Sequence, residues 1–118
     1  MIGFNESIQA GHLTKDPELE KVVTGGGEEV SRCRFTIAVN RPGKAASETK
    51  ADFVPVVAWR ELGENLAKYK RKGDPVLVQG ELRYSSWGAE DGSRRSRVVL
   101  KATHIQYLPS ARRAGRAA

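Results

Sequence analysis

The stretch DFVPVVAW, residues 52–59, predicts a strand that carries small side chains on one face and large ones on the other. Side chains alternate along a strand, so odd- and even-numbered residues lie on opposite faces. The even-numbered residues between 54 and 58 are small, apolar and suited to a core, whereas the odd-numbered face carries the rings of Phe53 and Trp59. These rings would lie about 20 Å apart at roughly 3.3 Å per residue. Either they fill a second buried layer or they form an outward binding surface, and the neighbouring segments favour the surface.

The preceding segment, VSRCRFTIAVN at residues 30–40, alternates clearly between apolar and polar residues. One face comprises Cys33, Phe35, Ile37 and Val39. The opposite face comprises Arg32, Arg34, Thr36 and Asn40. We therefore expect a strand that packs the core with one face and presents two guanidinium groups to solvent or to a ligand with the other.

The rest of the chain predicts further strands and one helix. A short strand is expected at residues 7–13, and the helix at roughly 61–72, where Leu62, Leu66 and Tyr69 recur at helical spacing. In the strand PVLVQGELRY, the central Gly80 suggests a bend or a close approach of another backbone. The last strand, RVVLKATHIQYL, loses its alternation near Ala102, which suggests a bulge.

The order of these elements predicts an all-β fold. Residues 41–51 have no periodicity and are expected to form a loop, and residues 85–96, which include Trp87, are expected to form a long polar hairpin loop. Short strands interrupted by one helix are typical of the five-stranded oligonucleotide-binding (OB-fold) barrel, with its helix between strands 3 and 4. On pattern alone, a sandwich-like α+β domain is the alternative.

Length and composition limit the function classes. The chain has 118 residues, enough for one domain, and it contains no apolar run long enough to span a membrane. The N-terminus lacks the pattern of a secretory signal, and the single cysteine, Cys33, excludes an internal disulfide and fits a reducing cytoplasm. The formal net charge is +6, but Arg112, Arg113 and Arg116 contribute half of it, so basicity alone is weak support for a nucleic-acid partner.

No catalytic residue, cofactor or metal site is expected. His12 and His104 are far apart in sequence, and no cysteine or histidine pair has metal-ligand spacing. Cys33 falls on the predicted core face, where a small apolar filler is the ordinary interpretation. The neighbouring acids at 16, 18 and 20 are interpreted as surface carboxylates rather than as ligands of a nuclease metal.

Aromatic rings and cations are interleaved on several of the predicted strands. Trp87 lies within the polar hairpin, which is flanked by Arg83, Arg94, Arg95 and Arg97. Arg32 and Arg34 add cations on the preceding strand. Every base has a π-face that can stack on a ring while cations follow the phosphates, so this combination favours binding of single-stranded nucleic acid without sequence preference.

Several segments together resemble the bacterial single-stranded DNA-binding proteins across roughly residues 5–108. These segments are GHLTKDPEL, RFTIAVNR, DFVPVVAWRELGENLAKYKRKG, VLVQGEL and the W…DG hairpin. The resemblance implies an OB-fold domain at residues 1–108, a short basic tail at 109–118, and assembly into a homotetramer as a dimer of dimers. It also implies a cytoplasmic, nucleoid-associated protein that binds and protects single-stranded DNA in replication, recombination and repair.

The resemblance assigns roles to particular residues. Bases are expected to stack on Phe53, Trp59 and Trp87. The pattern of cations around these rings, rather than the resemblance, predicts that the DNA backbone contacts Arg32, Arg34, Arg83, Arg94, Arg95 and Arg97.

Two segments depart from the family pattern. RPGKAAS, at residues 41–47, lacks a stacking ring that many relatives carry there, and the basic end ARRAGRAA differs from the acidic tip with which relatives recruit replication and repair proteins. The alternatives are an RNA-binding OB module and an accessory interaction subunit of a replication complex.

Overall fold

Strands dominate the structure, a computed structural model that describes residues 1–41, 50–88, 92 and 94–109, with side chains described within 1–41, 50–84, 92 and 97–109. The strands are β1 (Ser7–Leu13), β2 (Glu18–Val23), β3 (Glu29–Asn40), β4 (Ala51–Trp59), β5 (Pro75–Gly88) and β6 (Arg94–Tyr107). One helix, α1 (Arg60–Tyr69), lies between β4 and β5. This order confirms the predicted all-β fold with its single helix.

Five of the strands form a closed circuit. The pairing order runs β1-β5-β6-β4-β3, and β3 returns to β1 through the pairs His12↔Ala38 and Leu13↔Ile37. All of these pairings are antiparallel except β4–β6, which is parallel. The circuit is the five-stranded layout that the sequence predicts. β2 is an additional strand on the outer edge of β3, so the helix follows the fourth strand of the chain rather than the third.

The core lies inside this circuit and is closed at one end by α1. Its fully buried residues come from every strand of the circuit and from the helix, and include Leu13, Cys33, Ile37, Val56, Ala58, Leu66, Val76, Val78 and Leu100. The helix approaches the sheet closely because Gly63 has no side chain: a Cβ at this position would overlap the Ala58 carbonyl oxygen and lie 2.8 Å from Cys33 Cβ. Burial of Leu66 therefore depends on a glycine one turn earlier.

The helix is shorter than its sequence predicts. It ends at Tyr69 rather than near residue 72, because Lys70 already has extended backbone angles. Tyr69 is about half exposed at this end, so Leu66 and the partly buried Leu62 are the helix residues of the predicted apolar set that pack on the core. Among the described residues, no helix has the length and apolar character needed to cross a membrane.

The β5–β6 hairpin contains the predicted bulge. Gln79 pairs with His104 while Gly80 pairs with Ala102, so Thr103 is an extra residue in β6, and its hydroxyl donates to the Gln79 carbonyl at 3.1 Å. The two backbones approach so closely here that a Cβ at Gly80 would overlap the Lys101 carbonyl oxygen. Both the bulge and the close approach were expected from the sequence.

The same hairpin is longer than predicted. Backbone pairing continues from Ser85↔Arg97 through Trp87↔Arg95 to Gly88↔Arg94, so Trp87 belongs to a strand rather than to a loop. The polar composition of SSWG predicts a loop, whereas the backbone pairing of a strand does not require apolar side chains. The predicted loop at 41–51 lies largely outside the described residues.

Gly80→Ala is expected to lower the free energy of unfolding by about 1–3 kcal/mol, because the added methyl group forces two paired strands apart at the bulge. Urea denaturation followed by circular dichroism measures this change. Gly25→Ala is the matched control: a Cβ there meets no atom within 4 Å, so stability should change by less than about 0.5 kcal/mol. Equal stability of the two variants would contradict the close approach.

Candidate nucleic-acid interface

An open groove of about 520 Å³ runs over the outer faces of β3 and β4. It is bounded by the turn between β1 and β2 on one side and by β6 on another. Its lining includes Lys15, Arg32, Arg34, Pro55, Trp59 and Arg97. Four of the residues predicted to bind DNA therefore lie together: three arginines from two strands and one tryptophan from a third.

The register of β3 and β4 brings these side chains together. Arg32 pairs with Trp59 and Arg34 with Val57, and directly opposed residues in a sheet share a face. On the inner face, Cys33 pairs with Ala58, and both are fully buried. The two-faced strand predicted from DFVPVVAW is therefore correct.

Trp59 lies at the end of β4, partly buried and in contact with a cation. The guanidinium carbon of Arg32 is 5.7 Å from the centroid of the indole ring, within the range of a cation–π interaction. The chain leaves the strand immediately afterwards, through Arg60 at a φ of 59°, a left-handed conformation that is uncommon for a residue other than glycine. The Arg60 side chain is held by an ion pair with Glu28 at 2.9 Å. The observed contact of the ring itself is therefore the one with Arg32.

Carboxylates on β2 form ion pairs with both arginines of β3. Glu20 Oε1 accepts hydrogen bonds from Arg32 Nε and Nη2 at 3.0 and 2.7 Å and lies 3.1 Å from Arg34 Nε. Glu18 Oε2 lies 3.7 Å from Arg34 Nη2. The hydrogen bond from Arg32 holds the pKa of the Glu20 carboxyl below its ordinary value, and the charges of Arg32 and Arg34 add to this effect. Glu20 is therefore an anion at neutral pH.

Two other cations of the groove are differently placed. Lys15 and Arg97 line the groove and form no ion pair with a carboxylate among the described residues. Arg83 pairs across the hairpin with Val99, which also lines the groove, but Arg83 itself lies beyond it and contacts Glu81 at 2.6 Å. The cations of the groove without an ion pair thus lie at its sides, where Asp16, the residue after Lys15, adds a negative charge to the lining.

Phe53 shares the outer face of β4 with Trp59 but lies beyond the end of the groove. It pairs with Ala38, and 68% of its surface is exposed. An exposed phenylalanine on a sheet face is an apolar platform without a partner within the described part of the chain. The outer face of β4 therefore offers a ring at each end, as the sequence predicts.

Some predicted site residues lie where their side chains are not described. Trp87, Arg94 and Arg95 are placed by backbone pairing only, in the outer half of the β5–β6 hairpin. The basic tail lies outside the described residues from position 110 onwards. These predictions remain predictions.

Sequence reasoning missed Lys15 and the acidic partners of β3. Lys15 follows β1 in a turn, where no periodicity indicates the direction of a side chain, and Thr14 anchors this turn by a hydrogen bond from its N–H to the Thr36 carbonyl at 3.0 Å. Glu18 and Glu20 were correctly assigned to the surface. The available signal was their spacing of two residues, which matches the spacing of Arg32 and Arg34 on the neighbouring strand.

Comparisons with known proteins give a consistent result. A model described as "Single-strand binding protein family" matches residues 4–108. Single-stranded DNA-binding protein 2 of Clostridium acetobutylicum is 38% identical over 105 residues, which are 89% of this chain and 77% of that protein. Single-stranded DNA-binding protein 1 of the same organism is 35% identical over 94% of this chain and 99% of its own length. The Single-stranded DNA-binding protein of Treponema pallidum is 38% identical over 93% of this chain and 61% of its own length.

The folded protein is expected to keep Cys33 unreactive. The thiol is fully buried, and burial raises its pKa to about 11, so very little thiolate exists at pH 8. Reaction with a coloured disulfide reagent at pH 8 should be at least about 100-fold slower in the folded protein than after unfolding in guanidinium chloride. Rapid stoichiometric labelling of the folded protein would contradict the burial of the thiol.

Proposed function

Because the chain belongs to the single-strand binding protein family, we propose that the groove and the outer face of β4 form its path for single-stranded DNA. The protein binds single-stranded DNA and is not an enzyme, and roles in replication, recombination and repair fit the family in general. The family implies an OB-fold, which agrees with the closed strand circuit. The observation that carries the proposed path is the convergence of Trp59, Arg32, Arg34 and Arg97 in one groove.

In this proposal, bases stack on Phe53, Trp59 and Trp87. Trp59 and Phe53 lie on one face of one strand, so a DNA strand laid along β4 meets both rings in succession. Stacking requires only a π-face, so binding does not depend on the base sequence. The rigid β4 backbone holds the rings in place before DNA arrives, which lowers the entropy lost on binding.

The phosphates are proposed to contact the arginines around these rings. They comprise Arg32, Arg34, Arg83, Arg94, Arg95 and Arg97. Lys15 is added to this set, because it lines the groove and forms no ion pair with a carboxylate among the described residues. Each phosphate that is neutralised releases counterions, so the affinity should fall as the salt concentration rises.

Trp59→Ala is expected to weaken binding to oligo-dT by at least about tenfold. Loss of one stacking ring in proteins of this kind, this family included, costs about 1–3 kcal/mol per base. The chain has two tryptophans, so a Trp87→Phe background leaves Trp59 as the only indole, and its fluorescence should be quenched on titration with oligo-dT. Affinity for the alanine variant is then measured by anisotropy of a labelled strand.

Tyr69→Ala is the control for this experiment, because Tyr69 is an exposed ring on α1 that does not line the groove. Its affinity should stay within about twofold of the unmodified protein. Duplex DNA and a matched RNA strand are titrated in parallel. Equal quenching by single strand and duplex would refute the stacking path, and so would an equal loss of affinity for oligo-dT in Trp59→Ala and Tyr69→Ala. Tighter binding to RNA than to DNA would favour an RNA-binding module.

We also propose that the protein assembles as a homotetramer, a dimer of dimers, and that β1 contributes to the pairing of two chains. Residues 7–11 of β1 pair with β5 on one side only, because the pairing with β3 begins at His12. The other edge of this segment has no partner strand among the described residues, and Ile8 on the outer face is 59% exposed. An open strand edge is a template for pairing with another chain, here a second copy.

Ile8→Glu is expected to reduce the assembly from four chains to fewer, because a charge on the open strand must be desolvated in the interface. Sedimentation equilibrium at micromolar concentration measures the mass. Val23→Glu on β2 is the matched control, since Val23 is similarly exposed but lies on another strand, and its mass should be that of the unmodified protein. A monomeric mass for the unmodified protein would refute the tetramer.

We further propose a DNA-binding domain, a short tail and protein partners for this chain. Residues 1–108 would form the DNA-binding domain, whose last strand ends at Tyr107 with the Leu108 N–H donating to the Pro75 carbonyl at 3.2 Å. Residues 109–118 would form a short basic tail that adds non-specific phosphate contacts. Replication and repair proteins would be the protein partners, in the nucleoid of the cytoplasm.

A further inference from the structure

We propose that Glu20, supported by Glu18, is an intramolecular competitor for DNA phosphate. In the free protein these carboxylates occupy the guanidinium groups of Arg32 and Arg34, and a bound strand would replace them with phosphate oxygens. The inference rests on the proposed path of DNA through the groove. The glutamates of β2 would thereby set both the affinity of the groove for DNA and its preference for single strands over duplex.

Strand pairing holds the competitor in place. Glu18 pairs with Arg34 and Glu20 with Arg32 in the β2–β3 register, so each carboxylate lies beside an arginine on the same face. One oxygen of Glu20 lies within 3.1 Å of three guanidinium nitrogens, two from Arg32 and one from Arg34. This is the position that a phosphate oxygen would take between two arginines.

The carboxylates are accessible to exchange. The side chains of Arg32 and Arg34 keep 31% and 49% of their surface exposed, and that of Glu20 keeps 37%. Ion pairs exposed to this degree are weak and are exchanged readily. A carboxylate and a phosphate make the same bidentate hydrogen bonds to a guanidinium group, so exchange of one anion for the other adds little affinity by itself.

Stacking then decides which ligand can displace Glu20. Arg32 is in contact with both Glu20 and the ring of Trp59, so the exchange takes place beside the stacking platform. A single strand offers a phosphate together with an unpaired base for that ring, and it gains the stacking free energy in addition. A duplex offers phosphates alone, because its bases are stacked on one another. Competition by Glu20 thereby keeps the affinity for duplex DNA low, whereas a single strand still binds because stacking adds to its affinity.

The test uses Glu20→Gln, which keeps the size of the side chain and removes its charge. Affinities for a labelled oligo-dT and for a duplex of equal length are measured by anisotropy at several salt concentrations. Both should tighten by about three- to tenfold, so that duplex binding becomes measurable. The slope of log K against log salt for oligo-dT should steepen by about 0.7 for each additional phosphate that the freed arginines neutralise.

Glu28→Gln is the matched control. It raises the net charge by the same amount and frees Arg60 from a 2.9 Å ion pair, but Arg60, unlike Arg32 and Arg34, does not line the groove. Its affinities should stay within about twofold of the unmodified protein. If Glu20→Gln and Glu28→Gln change the affinities equally, the change in net charge explains the result and the proposal is overturned. Weaker binding of oligo-dT by Glu20→Gln would also overturn it, and would make Glu20 a positioning residue for Arg32.

The Trp59→Ala variant separates this proposal from the one on which it depends. If the affinity for oligo-dT does not depend on Trp59, the path through the groove is refuted and the competitor has no site at which to compete. If Trp59 matters and Glu20→Gln changes nothing, the path stands and the competitor is refuted.

Discussion

The register between β3 and β4 is the constraint on which both the core and the groove depend. Nine residue pairs fix it, from Arg32↔Trp59 to Asn40↔Ala51. In this register the small residues of both strands face inward together, and the guanidinium groups and rings face outward together. A slip of β3 by one residue would bury the charges of Arg32 and Arg34, and a slip of β4 would expose Val56. Either change costs far more than the loss of any single surface contact. Burial of the inner face thus preorganises the outer one.

The groove is charged but nearly balanced. Two arginines of β3 face two glutamates of β2, and at the sides Lys15 and Arg97 are accompanied by one acid, Asp16. Such a surface differs from a uniform basic patch, which would attract any polyanion. Its affinity must come from a combination of weak charge contacts with stacking. This explains why the modest net charge of the chain is a poor guide to the site.

Local patterns in the sequence predict much of the fold and half of the site. Alternation along one strand gives the faces of β3 and β4, and Gly80 and the break near Ala102 locate the bulge, because each of these signals is contained in a few neighbouring residues. The ion pairs of Glu20 depend on which strand lies beside β3 and in what register, which no single segment encodes. Lys15 lies in a turn without periodicity. The roles of Phe53 and Trp59 came from family resemblance, since an alternating pattern cannot distinguish a binding ring from a core ring.

The bulge in β6 also sets the phase of that strand. Before it, even-numbered residues such as Leu100 and Ala102 face the core; after it, the odd-numbered Ile105 does. A deletion of one residue between Ala102 and Ile105 would therefore leave all the remaining side chains of β6 on their present faces. A deletion between Arg97 and Leu100 would turn the outer half of the strand over and carry Arg97 away from the groove. The hairpin can thus lose a residue at its most irregular point more safely than within its regular part.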